Sequence, residues 1–268
     1  MGKFEKVLIA TDFDGTLVTD KGEILPEVRK AIEYFKAEGG SFALSTGRTP
    51  QGMRYYDMSF TNAPSLVANG AMAYDFRTDE IAFLSGIDEG GRDFVRDIHQ
   101  EFPTIAIEMY STGDITSAIN TLDTTHRHFS SQGIEYNTVT NPDDAPLPWI
   151  KVMCGGDWNE LQRLQVYLAE NYTDPTFLPT TGSIVEVLKK GVNKGTGLLR
   201  LADSLGIPHN RVFAVGDGYN DVEMLDAAAA SFVPMNADDN TKKHATHLVR
   251  SNNDGALAHV IEILDSIF

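Results

Sequence analysis

A single cysteine, Cys154, stands in this 268-residue chain, which excludes an intrachain disulfide and leaves a small buried hydrophobe as its expected role. Basic residues are scarce: 22 Lys and Arg face 38 Asp and Glu, a formal net charge of −16. With a pI near 4.7, that balance argues against nucleic acid or an anionic membrane as partner. It would repel an anionic substrate too, unless a cation and local Lys or Arg reverse the field at the site. Long apolar runs are also missing. None reaches membrane-spanning length, and the first strand arrives without a signal-peptide pattern. A soluble, cytoplasmic protein is expected.

What is present suffices for a core. Hydrophobic residues make up 42% of the chain, and its length suits one large or two modest domains. The apolar run Val7-Leu8-Ile9-Ala10 leads straight into Thr11-Asp12-Phe13-Asp14-Gly15-Thr16-Leu17, a buried strand breaking into a turn. Strand alternation allows Asp12 and Asp14 to share a face. Two carboxylates this close are costly unless they bind a cation or share a proton. A bare DxD is most simply a solvated acidic turn; DxDGT after a buried strand is far narrower.

The next elements repeat the theme. A helical pattern over Pro26 to Ala37 precedes a strand, Ser41 to Leu44, that ends in Ser45-Thr46-Gly47-Arg48. This order makes a parallel crossover and sets both motifs at one sheet edge, where open α/β sheets bind ligands. Thr46 offers a hydroxyl, Gly47 an unhindered amide and Arg48 a charge, all suited to phosphate oxygens. Ser65 to Ala68 is a third strand, running into Asn69-Gly70-Ala71.

Between about Ile81 and Val187 the character changes. A helix is expected over Gly90–Phe102, strands over Thr104–Tyr110 and Trp149–Met153, and a helix from the N-cap Asp157, boxed by Glu160, to Glu170. A strand pair, Phe177–Leu178 with Ile184–Leu188, should turn at Thr181-Gly182. This stretch reads as an α/β module inserted into one sheet: residues 1–80 and 188–268 form the core and 81–187 the insert. Lys194 then opens a helix reaching Leu205. A cation at a helix N-terminus opposes the macrodipole, which suggests a bound anion there. The strand Arg211–Val215 ends in Gly216-Asp217-Gly218-Tyr219-Asn220-Asp221, and a helix is expected from there to Ala230. A Phe232-Val233 strand, a His247–Val249 strand and an Ala256–Ile267 helix complete the chain.

Four pieces thus stand in order at strand ends or helix starts: DFDGT, STGR, NKG and GDGYND. Together they resemble the Cof-type, cap class IIB branch of the haloacid dehalogenase superfamily. The Asn69-Gly70-Ala71, Met235-Asn236-Ala237 and Asn253-Asp254-Gly255 stretches resemble that branch as well. The resemblance implies a Rossmann-like parallel-sheet core with an inserted α/β cap, and Mg²⁺-dependent hydrolysis of a small phosphorylated metabolite, such as a sugar phosphate. Asp12 would be the nucleophile, forming an aspartyl-phosphate, and Asp14 the general acid and base. Mg²⁺ would be held by the Asp12 carboxylate, the Asp14 carbonyl and Asp217, with Asp221 ligating through water or orienting Lys194. Phosphate would be cradled by the amides of Phe13 and Gly47, by Thr46 and Lys194, and by Asn220. Alternatives are a phosphomutase of the same superfamily and a receiver-like, non-enzymatic phospho-acceptor; oligomeric state is open. The pairs His126/His128 and His244/His247, the latter spaced as on a helix, read as solvated histidines rather than metal ligands. His126, Arg127 and Lys151 could touch substrate from the insert, with surface charge an equal reading. Trp149 and Trp158 read as packing residues.

Overall fold

The structure, a computed structural model, describes residues 2–173, 175–179 and 183–268. The chain forms two compact units, one from residues up to 47 with 57–83 and 193–268, the other from 48–56 and 84–192. Among the described residues, no helix is long and apolar enough to cross a membrane.

In chain order, β1 (Leu8–Thr11), α1 (Pro26–Ala37) and β2 (Ser41–Leu44) are followed by the short α2 (Pro50–Met53). Strands β3 (Ser65–Val67), β4 (Met72–Asp75) and β5 (Glu80–Leu84) form a small sheet, in which β3 and β4 run antiparallel. The second unit continues with α3 (Gly90–Glu101), β6 (Ala106–Ser111), β7 (Thr116–Ile119) and α4 (Asp123–Gln132). After these come β8 (Asn137–Thr138), β9 (Trp149–Gly155), α5 (Trp158–Asn171), β10 (Pro175–Pro179) and β11 (Ile184–Lys189). The first unit resumes with α6 (Lys194–Ser204), β12 (Val212–Val215), α7 (Val222–Ala227), β13 (Ala230–Pro234), β14 (His247–Val249) and α8 (Ala256–Ile267).

The first unit is built on a parallel sheet of order β14-β13-β12-β1-β2. β1 lies inside it and is buried along its whole length, which is why it reads as a continuous apolar run rather than an alternating one. Register levels the strand ends: Thr11 pairs with Leu44 on one side and Val215 on the other. The three motifs beyond these strands therefore leave the sheet side by side. α7 stops at Ala227, short of the expected Ala230, because Ala230 is taken up by β13 in register with Phe213. His247 likewise lies in a strand and stacks on Phe232, so it shares no helix with His244.

The second unit has a six-stranded sheet, β10-β11-β9-β6-β7-β8, antiparallel except for the β7–β8 pair. One face packs Ile107, Met109, Val152, Cys154 and Val187 against Phe94, Ile98, Leu161 and Leu164 of α3 and α5. Cys154 is fully buried and burial pushes its thiol up to about 12, the inert state expected of it. Alternate residues of the same strands carry buried charge instead: Lys151 Nζ lies 2.5 Å from Glu186, and Glu108 accepts from Tyr110 and lies 3.1 Å from His128 Nδ1. The sequence pattern does not anticipate β7, α4 or β8. Trp149 is a core residue, whereas Trp158, at the start of α5, is 41% exposed. Asp157 caps α5 through the Asn159 amide, but Glu160 does not close a box; it accepts from the Thr104 hydroxyl. Thr181-Gly182 lies outside the described residues.

Candidate active site

Asp12 is the first residue past β1, held there by its amide, which donates to the Val215 carbonyl at 2.8 Å. The chain then turns, with Gly15 at φ +74°, a conformation that strains residues bearing a Cβ. Here a Cβ would also come within 2.4 Å of Asp217 Oδ2. The Thr16 hydroxyl donates to Asp217, tying this turn to the one after β12. At Gly216 the reason for glycine is space, because an added Cβ would lie 2.5 Å from Asp221 Cγ. The Asp221 carboxylate folds back there and accepts from the amides of Asp217 (3.0 Å) and Gly218 (2.9 Å).

Lys194 is the first residue of α6, set there by Asn193, whose side chain caps the Thr196 amide at 2.8 Å. Its ammonium is wholly buried and donates to Asp12 Oδ1 and Asp221 Oδ1, each at 2.6 Å. The anions that balance it are therefore the protein's own, and its place at a helix N-terminus needs no bound anion to explain it. Both Asp221 oxygens already carry donors, one from Lys194 and one from the two amides. Asp221 thus holds Lys194 through one oxygen and the turn after β12 through the other.

Asp12, Asp217 and Asp221 each offer an oxygen within 4.8 Å of the others. Three carboxylates around one ammonium leave excess negative charge. Burial, reinforced by the neighbouring acids, pushes Asp12 well above the usual carboxylate range despite the pull of Lys194. Burial likewise raises Asp217 to about 6. Desolvation alone would lower Lys194, yet Asp12 and Asp221 outweigh it and hold the ammonium above its ordinary value. A hard divalent cation among these oxygens would relieve the excess, and an all-oxygen donor set suits Mg²⁺.

The raised Asp217 has a consequence for stability. The folded protein keeps this proton up to about pH 6, whereas the unfolded chain releases it near the ordinary 3.8. Stability contributed by this group therefore falls as pH rises from about 4 to about 6, and stays lower above. In EDTA, Asp217→Asn should gain on the wild type over that interval, by on the order of 1–3 kcal/mol. Thermal melts of both proteins at pH 4.5, 6 and 7.5 check this; a constant difference in Tm would contradict it.

Of the remaining residues singled out from sequence, Phe13 and Thr46 are buried, and Gly47 follows Thr46 where the Thr46 carbonyl accepts from the Asn69 amide at 3.0 Å. Asn220 Nδ2 donates to Asn69 Oδ1 at 3.0 Å. Asp14 is exposed and stands outside the acidic trio, though near enough to act on Asp217 through its charge. Arg48 belongs with the second unit, its guanidinium 5.4 Å from the Tyr56 ring centre. Three of the four histidines singled out have side-chain partners, His126 with Tyr136, His128 with Glu108 and His244 with Asp226, while His247 stacks on Phe232. Arg127 donates to the Asp123 carbonyl and Lys151 is spent on Glu186. In the sequence, Asn69 stands in a turn that resembles the Cof-type branch but carries no assigned role. Its φ of +52° and 2% exposure mark a polar residue held in a conformation that Asn tolerates.

The profile of a family described as haloacid dehalogenase-like hydrolase matches residues 9–261. The Bacillus subtilis protein YitU, named as a 5-amino-6-(5-phospho-D-ribitylamino)uracil phosphatase, is 24% identical over 95% of this chain and 96% of its own. Among solved structures, a haloacid dehalogenase-like hydrolase from Bacteroides thetaiotaomicron superposes with a TM-score of 0.84 at 22% identity, covering 98% of this chain and 99% of that one. The subclass IIB sugar phosphatase BT4131 superposes with a TM-score of 0.83 at 17% identity, covering 97% and 99%.

Proposed function

Because the chain belongs to the haloacid dehalogenase-like hydrolases, we propose that it is a Mg²⁺-dependent phosphatase that hydrolyses a small phosphorylated metabolite, a sugar phosphate or related phosphoester. The observation that supports this most is the Asp12–Lys194–Asp221 chain of 2.6 Å contacts at the edge of the parallel sheet, with Asp217 beside it. In this reading Asp12 attacks phosphorus and forms an aspartyl-phosphate. Lys194 fixes the attacking carboxylate and faces the charge of the transferring group, and Asp221 holds the lysine. The Phe13 and Gly47 amides, the Thr46 hydroxyl and Asn220 complete the cradle, with Asn69 steadying Asn220. Phosphoryl transfer spreads charge over equatorial oxygens, so fixed donors supply most of the rate. Asp14 protonates the leaving alkoxide and then activates water. Asp12, the Asp14 carbonyl and Asp217 would hold Mg²⁺, which when bound neutralises charge on the phosphoryl oxygens. We read the second unit, residues 48–56 and 84–192, as the cap. A sugar- or polyol-bearing substrate is in keeping with the names of YitU and BT4131.

A panel of phosphorylated metabolites assayed with Mg²⁺, reading inorganic phosphate and isomerised product together, tests the proposal. Phosphate release is the expected result, and isomer without phosphate would select a mutase. EDTA should stop turnover and Mg²⁺ restore it, while Ca²⁺, which prefers looser and higher coordination, should inhibit. Full activity in metal-free buffer would sink the metal assignment.

A further inference from the structure

Two stretches from the C-terminal part of the chain, at Asn236 and at Asn252-Asn253, meet on the turn that carries Asp14. Asn236 Nδ2 donates to the Gly15 carbonyl at 2.8 Å, and its own Oδ1 accepts from the Asn252 amide at 2.9 Å. Asn252 Nδ2 in turn donates to the Val18 carbonyl at 3.1 Å and to Asp20 Oδ1 at 3.0 Å. Asn253 closes the arrangement with a reciprocal pair: its Nδ2 donates to Asp20 Oδ2 at 2.9 Å, and its Oδ1 accepts from the Asp20 amide at 3.0 Å. The carbonyls on both sides of Thr16-Leu17 are therefore gripped by carboxamides from the C-terminal part of the chain. Asn252 is 2% exposed, so its bonds form away from water, where an unmade one is expensive.

The grip adds to the turn's own ties, the Val18 amide on the Phe13 carbonyl at 3.1 Å and the Thr16 hydroxyl on Asp217. Gly15, the residue after Asp14, sits at φ +74° and is the most permissive backbone position in the motif. Fixing its carbonyl fixes the peptide plane on the far side of Gly15, which limits how Asp14 can swing.

We propose that Asn236 is a positioning residue for the reaction: through the Gly15 carbonyl it holds Asp14 where proton transfer to the leaving group requires it, and Asn252 and Asn253 hold Asn236 and the rest of the turn. This rests on the assignment of Asp14 as the general acid. Asn236 is exposed, so its truncation leaves no buried cavity.

The readout is leaving-group dependence. An alkoxide needs the proton and a nitrophenolate does not, so loss of Asp14 placement should penalise a sugar phosphate selectively. Acid catalysis contributes about 10²–10⁴-fold, and a partly misplaced acid forfeits part of that. In single-turnover formation of the phosphoenzyme, the step that contains the leaving group, Asn236→Ala should therefore slow a sugar phosphate by about 10- to 100-fold, with p-nitrophenyl phosphate changed less than about threefold and Tm near wild type. Asn236→Gln, which keeps a donor, should recover part of the selectivity, as loss of mere bulk would not allow. Equal slowing of the two substrates, or no slowing, overturns the proposal whatever the absolute rate. Asp14→Asn in the same assay separates the two levels: if it discriminates between leaving groups and Asn236→Ala does not, only the positioning role falls. If Asp14→Asn does not discriminate, the acid assignment falls and the positioning role with it.

Discussion

Asp12→Asn should abolish turnover, by more than about 10³-fold, in a protein that still folds. An amide matches the carboxylate in shape but is a poor nucleophile, and splitting hydrolysis through a covalent intermediate depends on that nucleophile. Folding should survive for a reason visible at the site. Asp12 is a buried acid whose carboxyl is already pushed up by desolvation and by Asp221 and Asp217, so a neutral amide costs little there. Lys194 keeps Asp221 as its partner at 2.6 Å. Initial rates with p-nitrophenyl phosphate, a melt, and acid-quench trapping of phosphoenzyme check all three points. Retention of more than about 1% of the rate, or a phosphoenzyme still formed by the variant, would remove Asp12 from its assigned role.

Lys194→Met carries the second large effect, on both stability and activity. The lysine is wholly buried between two carboxylates. Removing one member of a buried ion pair strands the other, at a cost of about 3–5 kcal/mol. Here Asp12 and Asp221 would face each other without their shared cation. Their repulsion is relieved by protonation, so the deficit against wild type should shrink as pH is lowered from 8 to 5. Activity should fall by at least about 10³-fold at every pH, because in the proposed mechanism the same ammonium orients the attacking carboxylate and faces the transferring charge. Denaturant melts across that pH range and initial rates measure the two effects. A variant of unchanged stability would mean that the ion-pair chain is electrostatically idle. A stable inactive one would separate catalysis from folding. Lys194→Arg should not restore either property, since a guanidinium is larger than the space two 2.6 Å contacts leave.

Much of this molecule is legible without the structure. The apolar runs of β1, β2 and β12 are local signals, long enough to read as buried strands, and each ends in residues that cannot continue one. Reading three such ends as one parallel sheet edge requires only the crossover rule. Other features are invisible because they depend on distant partners. Lys194 pairs with residues 182 and 27 positions away, and Asn220 with Asn69 across 151. A misfit with the helix dipole flags the lysine, but it cannot say which anion answers. Of the Asn236–Asn252 grip only Asn236 stands in a stretch the sequence marks, and there without a role; Asn252 lies outside any motif. In the second unit, buried charge at Glu108, Lys151 and Glu186 defeats any reading by hydropathy, because these residues look solvated until β6, β9 and β11 set them together.

What the sequence by itself determined is the chemistry at the strand ends: which side chains stand where the sheet stops, since alternation, caps and glycine turns act over a few residues. Tertiary structure decided how those side chains are used. Register alone brought Thr11, Leu44 and Val215 level, while packing set Lys194 between Asp12 and Asp221 and burial raised the carboxyls of Asp12 and Asp217. Pairing and desolvation are properties of neighbours in space, and no local pattern encodes the charge that a distant residue will bring.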